Sequence, residues 1–592
     1  MTLASRLEKI ESSGLIRLAQ VDPDLEYIFR HALVQDATYE SLLKADRRSL
    51  HHAVGQTLER LYAERLDEIA ATLGLHFERA EEYEKAVHYL VRAGEGAARV
   101  YAVDEAIGLF GHALELIPAA YPEADLIHLY SQYGRVLELA GRFDAAIQAY
   151  QQMCAEGVKR QNPRMELDAL MAQAILHSTP SPVHDFALAL QLSDRALAIA
   201  RPLDNREAQS RSYWMLMLAN MFEGNMPAAV SYGEQSLELA RSLENPETLA
   251  FVLNDLARTY GISGLPEKSR AVNREARGLW EKLGNLPMLI DNLNTDAEDL
   301  YFRAEFDQCI EVALQAYELG KSIRNIWGQT YSLMVLGFVY TELGEISQAI
   351  RVNEELLAFD ARQTFTIAQV SARAQMADIY GEFGDLRTGS AYALAAYEQA
   401  IELASWLQAS ALAGQARYEL LNGNYALAES LFDKATQNYD PGNFITFIPQ
   451  YVEDARNDLL MHKGQYLAAL EGIDKIIAIV DRLGITQCRP EFMLRRARTL
   501  VALERRDEAL AVLAAAAELC ERVGLHRVLW KIYALMGELH AQAGHSEAAQ
   551  TSRQAARQEI EFLAERCPPA LRQCFLQTRA VLDVLEADRS QP

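Results

Sequence analysis

A small residue returns along this chain at a nearly constant step: Ala106, Ala146, Ala189, Ala229, Ser269, Cys309, Ala349, Gly389, Ala428, Ala469, Ala509 and Ala549. The eleven intervals cover 549 − 106 = 443 residues, a mean near 40. A period of that size implies one supersecondary unit used again and again, each copy burying its apolar face against the next. Five residues before most anchors stands a glycine: Gly141, Gly224, Gly264, Gly344, Gly384, Gly423, Gly464 and Gly544, with Ala304 and Glu504 filling the slot in two other units. Seven residues earlier lies a second small residue (Gly134, Ala257, Ala297, Gly337, Ala377, Ala416, Gly537). Seven residues after the anchor comes a third (Ala113, Ala196, Ala276, Ala316, Ala396, Ala435, Ala516, Ala556).

These offsets describe two antiparallel helices with small residues where their backbones cross. The glycine ends the first helix, because a left-handed C-terminal residue costs glycine little. Polar residues after it start the second helix, as in Gly141-Arg142-Phe143-Asp144 and Gly344-Glu345-Ile346-Ser347. The second helix is expected to stop at Asn245, Asn285, Asn325, Gly484 or Gly524, residues that tolerate such a terminus. Large apolar residues at helical spacing, such as Leu333, Leu336, Val339 and Tyr340, fill the rest.

The pattern resembles the tetratricopeptide repeat. Its small–aromatic–glycine–small signature is visible in Gly337-Phe338-Val339-Tyr340, Gly344 and Ala349. It recurs in Ala377-Asp378-Ile379-Tyr380, Gly384 and Gly389. The usual unit is about 34 residues, so a step near 40 lengthens both helices, as in the longer repeats of the maltose-regulator type. The expected fold is all-α: a right-handed superhelix of about twelve hairpins. The unit around Ala189 lacks the glycine turn. Thr179-Pro180-Ser181-Pro182 and Asp440-Pro441-Gly442-Asn443 interrupt the repeat. The predicted division is an N-terminal segment 1–62, a solenoid in two parts, 63–438 and 439–565, and a capping helix with tail, 566–592.

Residues 1–62 do not follow the step. Leu3–Ser12 reads as a short helix, and 14–18 and 25–29 as strands around the turn Asp22-Pro23-Asp24. Helices follow from His31, which makes the second half of a winged helix. The run from Tyr27 to Leu43, with Arg47, Arg48 and His51, is similar to a junction in bacterial signal-transduction ATPases with numerous domains, often fused to a class III nucleotide cyclase. The first repeats (Leu75 to Ala80, Lys85 to Leu90) and the end (Pro569 to Leu576) also fit that family. The resemblance implies that His31, with Arg30, occupies the place of a nucleotide-reporting histidine. No phosphate-binding GxxxxGK[ST] loop accompanies it; the nearest look-alike, Gly384 to Ser390, lacks the lysine.

The charge of 57 − 82 = −25 repels phosphate backbones, which argues against general nucleic-acid binding. Six scattered cysteines are too few for a disulfide scaffold. The longest Ala/Leu-rich run, Ala509 to Cys520, is too short to span a bilayer, and the first nine residues do not read as a signal peptide. A cytoplasmic protein is therefore expected. No HExxH, GxSxG or catalytic cysteine context is present, so no enzyme activity, metal or cofactor is expected.

First helices should line the inner groove of such a solenoid, and their polar residues are the candidate binding set. Asn254 and Asn294, 40 apart, should stack on neighbouring repeats, with Asp255, Arg258, Asp291, Asp296, Glu298 and Asp299 nearby. This mainly acidic patch favours a basic peptide or a polar small molecule. The expected function is a non-catalytic binding scaffold or sensor for a protein or small-ligand partner. The alternative is the C-terminal part of a longer ATPase or cyclase. The ATPase resemblance adds a possible ATPase or cyclase module as partner.

Overall fold

The computed structural model describes the chain apart from residues 1–2, 21–25, 101, 180–182, 361–363, 365, 402–404, 438–447 and 587–592. The expected turn at Asp22-Pro23-Asp24, the prolines of the first interruption and all of the second lie outside the described residues. The chain forms two compact units, 1–165 and 166–592.

The first unit opens with a helix (Leu3–Ser12), an antiparallel hairpin (Ile16–Gln20 and Glu26–Phe29) and helices Ala32–Glu40 and Lys44–Leu61. The first strand begins two residues later than predicted. Gly14 takes φ +76° and donates to the Glu11 carbonyl, so it closes the helix instead of starting the strand. Helices Ala70–Arg79 and Tyr83–Arg99 then pack around Leu73, Phe77 and Tyr89. Val103–Glu115 is an extra helix before the hairpin Glu123–Leu139 and Phe143–Lys159.

The second unit is a run of helical hairpins, from Pro163–Ser178 with Phe186–Ala200 to His526–Gln542 with Ser546–Glu565. Two short helices, Pro569–Leu576 and Arg579–Glu586, follow. Among the described residues the two units together contain twelve hairpins, and the fold is a tetratricopeptide-type α-solenoid. Every turn glycine expected inside a hairpin has positive φ, and so do Ala304 and Glu504 in the same slot. The anchors Ala146, Ala189, Ala229, Cys309, Ala349, Ala428 and Ala509 are fully buried.

Two details of capping differ from expectation. Asn245, Asn285 and Asn325 do not end a helix in the left-handed region; their φ values are −124°, −84° and −78°. Each instead caps the helix that follows, its side chain accepting from the backbone N–H of Thr248, Met288 or Gly328. Conversely, Arg142 and Glu345 make no side-chain cap. The turns there are closed by backbone bonds, from Arg142 N to Leu137 O and from Glu345 N to Tyr340 O, each 2.8 Å.

The second unit also folds back on itself. Thr486 and Gln487 both donate backbone N–H bonds to the Phe302 carbonyl, at 2.7 and 3.2 Å. Ser347 donates to the Arg566 carbonyl from its N–H (2.8 Å) and its hydroxyl (2.7 Å). Phe383 meets Phe575 with ring centroids 4.6 Å apart. The turns at 302–304, 344 and 384 thus lie against chain some 180 to 220 residues downstream. A second layer, 482–578, is seated on the first, and the apolar cluster of Ile346, Ile350, Phe383, Trp530, Leu563 and Phe575 is shared between them.

Gly384 has φ +88°, and a Cβ there would lie 2.6 Å from Thr578 and 3.0 Å from the Cys574 carbonyl. Gly544 has φ +79° with nothing within 4 Å. Gly544→Ala should cost about 1 kcal/mol, the backbone strain alone. Gly384→Ala should cost at least about 1 kcal/mol more, because the second layer must shift. Thermal melts of the two variants compare these losses, and equal shifts would mean that the layers do not touch.

Candidate functional site

The candidate binding residues come together on the first helices Pro246–Ile262, Leu286–Phe302 and Ile326–Glu342, but as a network in which Asn254, Asp291, Asn294 and Glu298 are buried and Asp255 and Arg258 half-buried. Asn254 donates to Asp291 (2.7 Å) and accepts from Asn292 (3.0 Å). Arg258 donates to Thr295 (2.9 Å) and lies 3.5 Å from Asp291 and 3.8 Å from Asp255. Trp214 donates its indole N–H to Asp255 (2.8 Å). Tyr331 donates to Glu298 (2.6 Å). Asn294 donates to the Gly328 carbonyl (3.1 Å) and accepts from Ser332 (2.7 Å). Asn254 and Asn294 therefore bond forward, each to the next first helix, and not to one another.

Asp296 and Asp299 stand apart from this set. Asp296 pairs with Arg277 at 2.7 Å and Asp299 with Arg303 at 2.5 Å. Around Arg258 the balance is acidic, with three carboxylates, Asp255, Asp291 and Glu298, against one guanidinium. Desolvation raises Asp255 to about 6 against the pull of Arg258, and the nearby charge of Asp291 adds to the rise. Burial also raises Glu298, opposed by Arg258 and by the Tyr331 hydrogen bond.

A larger feature escaped the sequence reading. From the turn at Gly264 onwards, the residue six places before each hairpin turn runs Arg258, Glu298, Phe338, Asp378, Arg417, Asp458, Arg498, Glu538, at steps of 39 to 41. Seven of these eight first helices carry a charge there, and the sign alternates on either side of Phe338. Neighbouring rungs interact: Arg417 lies 3.7 Å from Asp378 and 3.4 Å from Asp458. Side branches thicken the ladder. Arg495 pairs with Asp454 (2.7 Å) and Asp458 (2.5 Å). Arg527 pairs with Glu342 (3.1 Å) and Glu382 (3.0 Å), and Lys531 also pairs with Glu382. Glu342, Asp454, Glu491 and Arg495 are all buried. Burial lowers Lys531 to about 8 despite the opposing charges of Glu342 and Asp378. The same 40-residue step that revealed the small residues would have revealed this ladder.

In the first unit, His31 is exposed at the N-cap of Ala32–Glu40 and makes no side-chain cap bond. Arg30 is exposed, its backbone N–H donating to Leu15. The basic residues downstream are matched by acids: Arg47 pairs with Glu40 (3.0 Å) and Arg48 with Glu81. His51 is buried between the Tyr39 hydroxyl (3.0 Å) and the His76 ring (2.9 Å). Burial lowers both histidines, and the nearby charge of Arg79 adds to it.

No family model matches this chain, and no curated protein matches it. Among solved structures it is similar to a Rap protein complexed with competence and sporulation factor, at 16% identity and TM-score 0.43, over 61% of this chain and 99% of that one. It is also similar to the APC/C hetero-tetramer Cut9–Hcn1, at 13% identity and TM-score 0.30, over 85% and 96%. A monomeric IFIT1 mutant with m7Gppp-AAAA matches at 12% identity and TM-score 0.29, over 80% and 90%. Among the described residues no helix is long and apolar enough to cross a membrane, and no cluster of three ligating side chains could hold a metal ion.

The raised Asp255 has a stability consequence. In the folded chain it holds its proton to about pH 6, and in the unfolded chain only to about pH 4. Between those values the folded state binds more protons, so this group's contribution to stability falls as pH rises. The stability of wild type relative to Asp255→Asn should therefore decrease from pH 4.5 to pH 6.5, by on the order of 2 kcal/mol. Urea titrations at several pH values measure it, and a rising difference would contradict this assignment.

Proposed function

We propose that this chain is a non-catalytic scaffold or sensor that binds a protein segment or polar ligand on its first-helix face. The carrying observation is the charged ladder, and above all its acidic end. There Asp255, Asp291 and Glu298 share Arg258, so a cationic group would gain more than an anionic one. The ligand class that fits is a peptide presenting lysine or arginine, or a small amine.

The resemblance at 27–43 supports a finer reading, that the scaffold regulates a signalling ATPase or cyclase module joined at its N-terminal segment. One observation favours it. The helix–hairpin–helix segment leaves Leu33 (82% exposed), Leu43 (73%), Leu50 (52%) and Leu61 (68%) uncovered, apolar surface that a further module could cover. In this reading His31 and Arg30 face a nucleotide held by that module.

Fluorescence anisotropy with labelled peptides of opposite charge tests the binding reading. Lysine- and arginine-containing peptides should bind and acidic ones should not. Asp291→Asn and Glu298→Gln, which keep shape and remove charge, should each weaken binding roughly tenfold with little change in circular dichroism. Equal binding of both peptide classes, or full affinity in both variants, would sink the proposal.

A further inference from the structure

The charged rungs of the ladder are half-buried or exposed apart from Glu298, but some of its side branches are enclosed. Glu342 is less than a tenth exposed, and Arg527 of the second layer lies against it at 3.1 Å, so a ligand that reads Glu342 must first move that layer. The layers share two apolar clusters, and their polar contacts are far apart along the chain. The polar contacts include the Phe302 carbonyl capping Thr486 and Gln487, the Ser347–Arg566 pair of bonds, and the ion pair between Arg566 and Glu345 at 2.9 Å. To these are added the four-charge cluster Glu342–Arg527–Glu382–Lys531 and the Phe383–Phe575 contact.

We infer that this seam is a clasp, a closure between two superhelical layers that opens as a unit while every hairpin stays folded. Each hairpin on either side already buries its faces against its own neighbours, so separating the layers removes no intra-hairpin bond. The four charges at the centre favour such behaviour. Held in the seam they attract one another but have lost their water; released, they regain hydration. Their net hold is small compared with their number, while their geometry fixes which turn sits on which. The apolar contacts of Phe383, Trp530 and Phe575 supply the restoring force, since opening exposes them. The purpose of opening, admission of a ligand to Glu342, rests on the binding reading above; the clasp itself does not.

Two measurements on the full chain test it, neither using a ligand. The first is native-state hydrogen exchange of the wild type. The amides that donate across the seam, Ser347, Thr486 and Gln487, should exchange together and at least roughly tenfold faster than core-helix amides such as Leu336 and Leu494. Exchange only at the rate of those core amides would overturn the inference. The second is small-angle scattering of Arg527→Glu. Its radius of gyration should rise at unchanged mass and helicity, and adding Glu342→Arg with Glu382→Arg should bring it back towards wild type. An unchanged radius, no recovery in the triple variant, or loss of helicity in Arg527→Glu would each overturn the clasp. Failure of peptide binding alone would leave it standing.

Discussion

The structure depends on close approach between helices that cannot bury themselves alone. A hairpin of this length has one apolar face too many for an isolated unit, and the next hairpin supplies the cover. Small residues at the crossing points set how near the backbones come, which is why Ala146, Ala229, Cys309, Ala349 and Ala509 have no accessible surface. From that spacing follow the constant step, the stacking of first helices and the alignment of like positions into rows. The charged ladder is one such row. Its members are neighbours only because the repeat places every sixth residue before a turn on the same line.

Enclosing part of that ladder and its neighbours costs desolvation, and the raised carboxyl groups of Asp255, Glu298 and Asp454 record it. An apolar row would be cheaper to build. The Phe338 rung shows that the fold accepts one: it is 6% exposed and packs in the same cluster as Tyr301 and Val339. Packing alone therefore does not require charges at seven of eight rungs, and Arg527 between Glu342 and Glu382 ties one helix of the second layer to two first helices.

Much of this was legible in the sequence because it is local and periodic. The turn glycines and the non-glycine substitutes Ala304 and Glu504 follow from one offset table, whose first anchor, Ala106, falls on the extra helix Val103–Glu115 instead of in a hairpin. The asparagines were misread because the same residue suits a left-handed helix end and the cap of the following helix, and only the backbone angle separates the two. The candidate residues Asn254, Asp255, Arg258, Asp291, Asn294 and Glu298 stand out as a group, but the burial of Asn254, Asp291, Asn294 and Glu298 is not visible in the sequence. It arises from partners on other helices, 33 to 41 residues away.

Solenoids usually gain and lose repeats freely, since a new unit only lengthens the stack. The contacts of Gly344 with Leu563 and of Gly384 with Thr578 remove that freedom here. Deleting one hairpin between Asp385 and Arg482 would carry every partner of the first layer one whole unit past its mate, setting Glu342 and Glu382 opposite the wrong helix. The number of repeats in that interval is thus part of the design of the closed layers, in the way that strand number is part of a barrel. Related chains that keep the closure should differ by substitution within those hairpins and by insertions at their ends, while the count between the two layers stays the same.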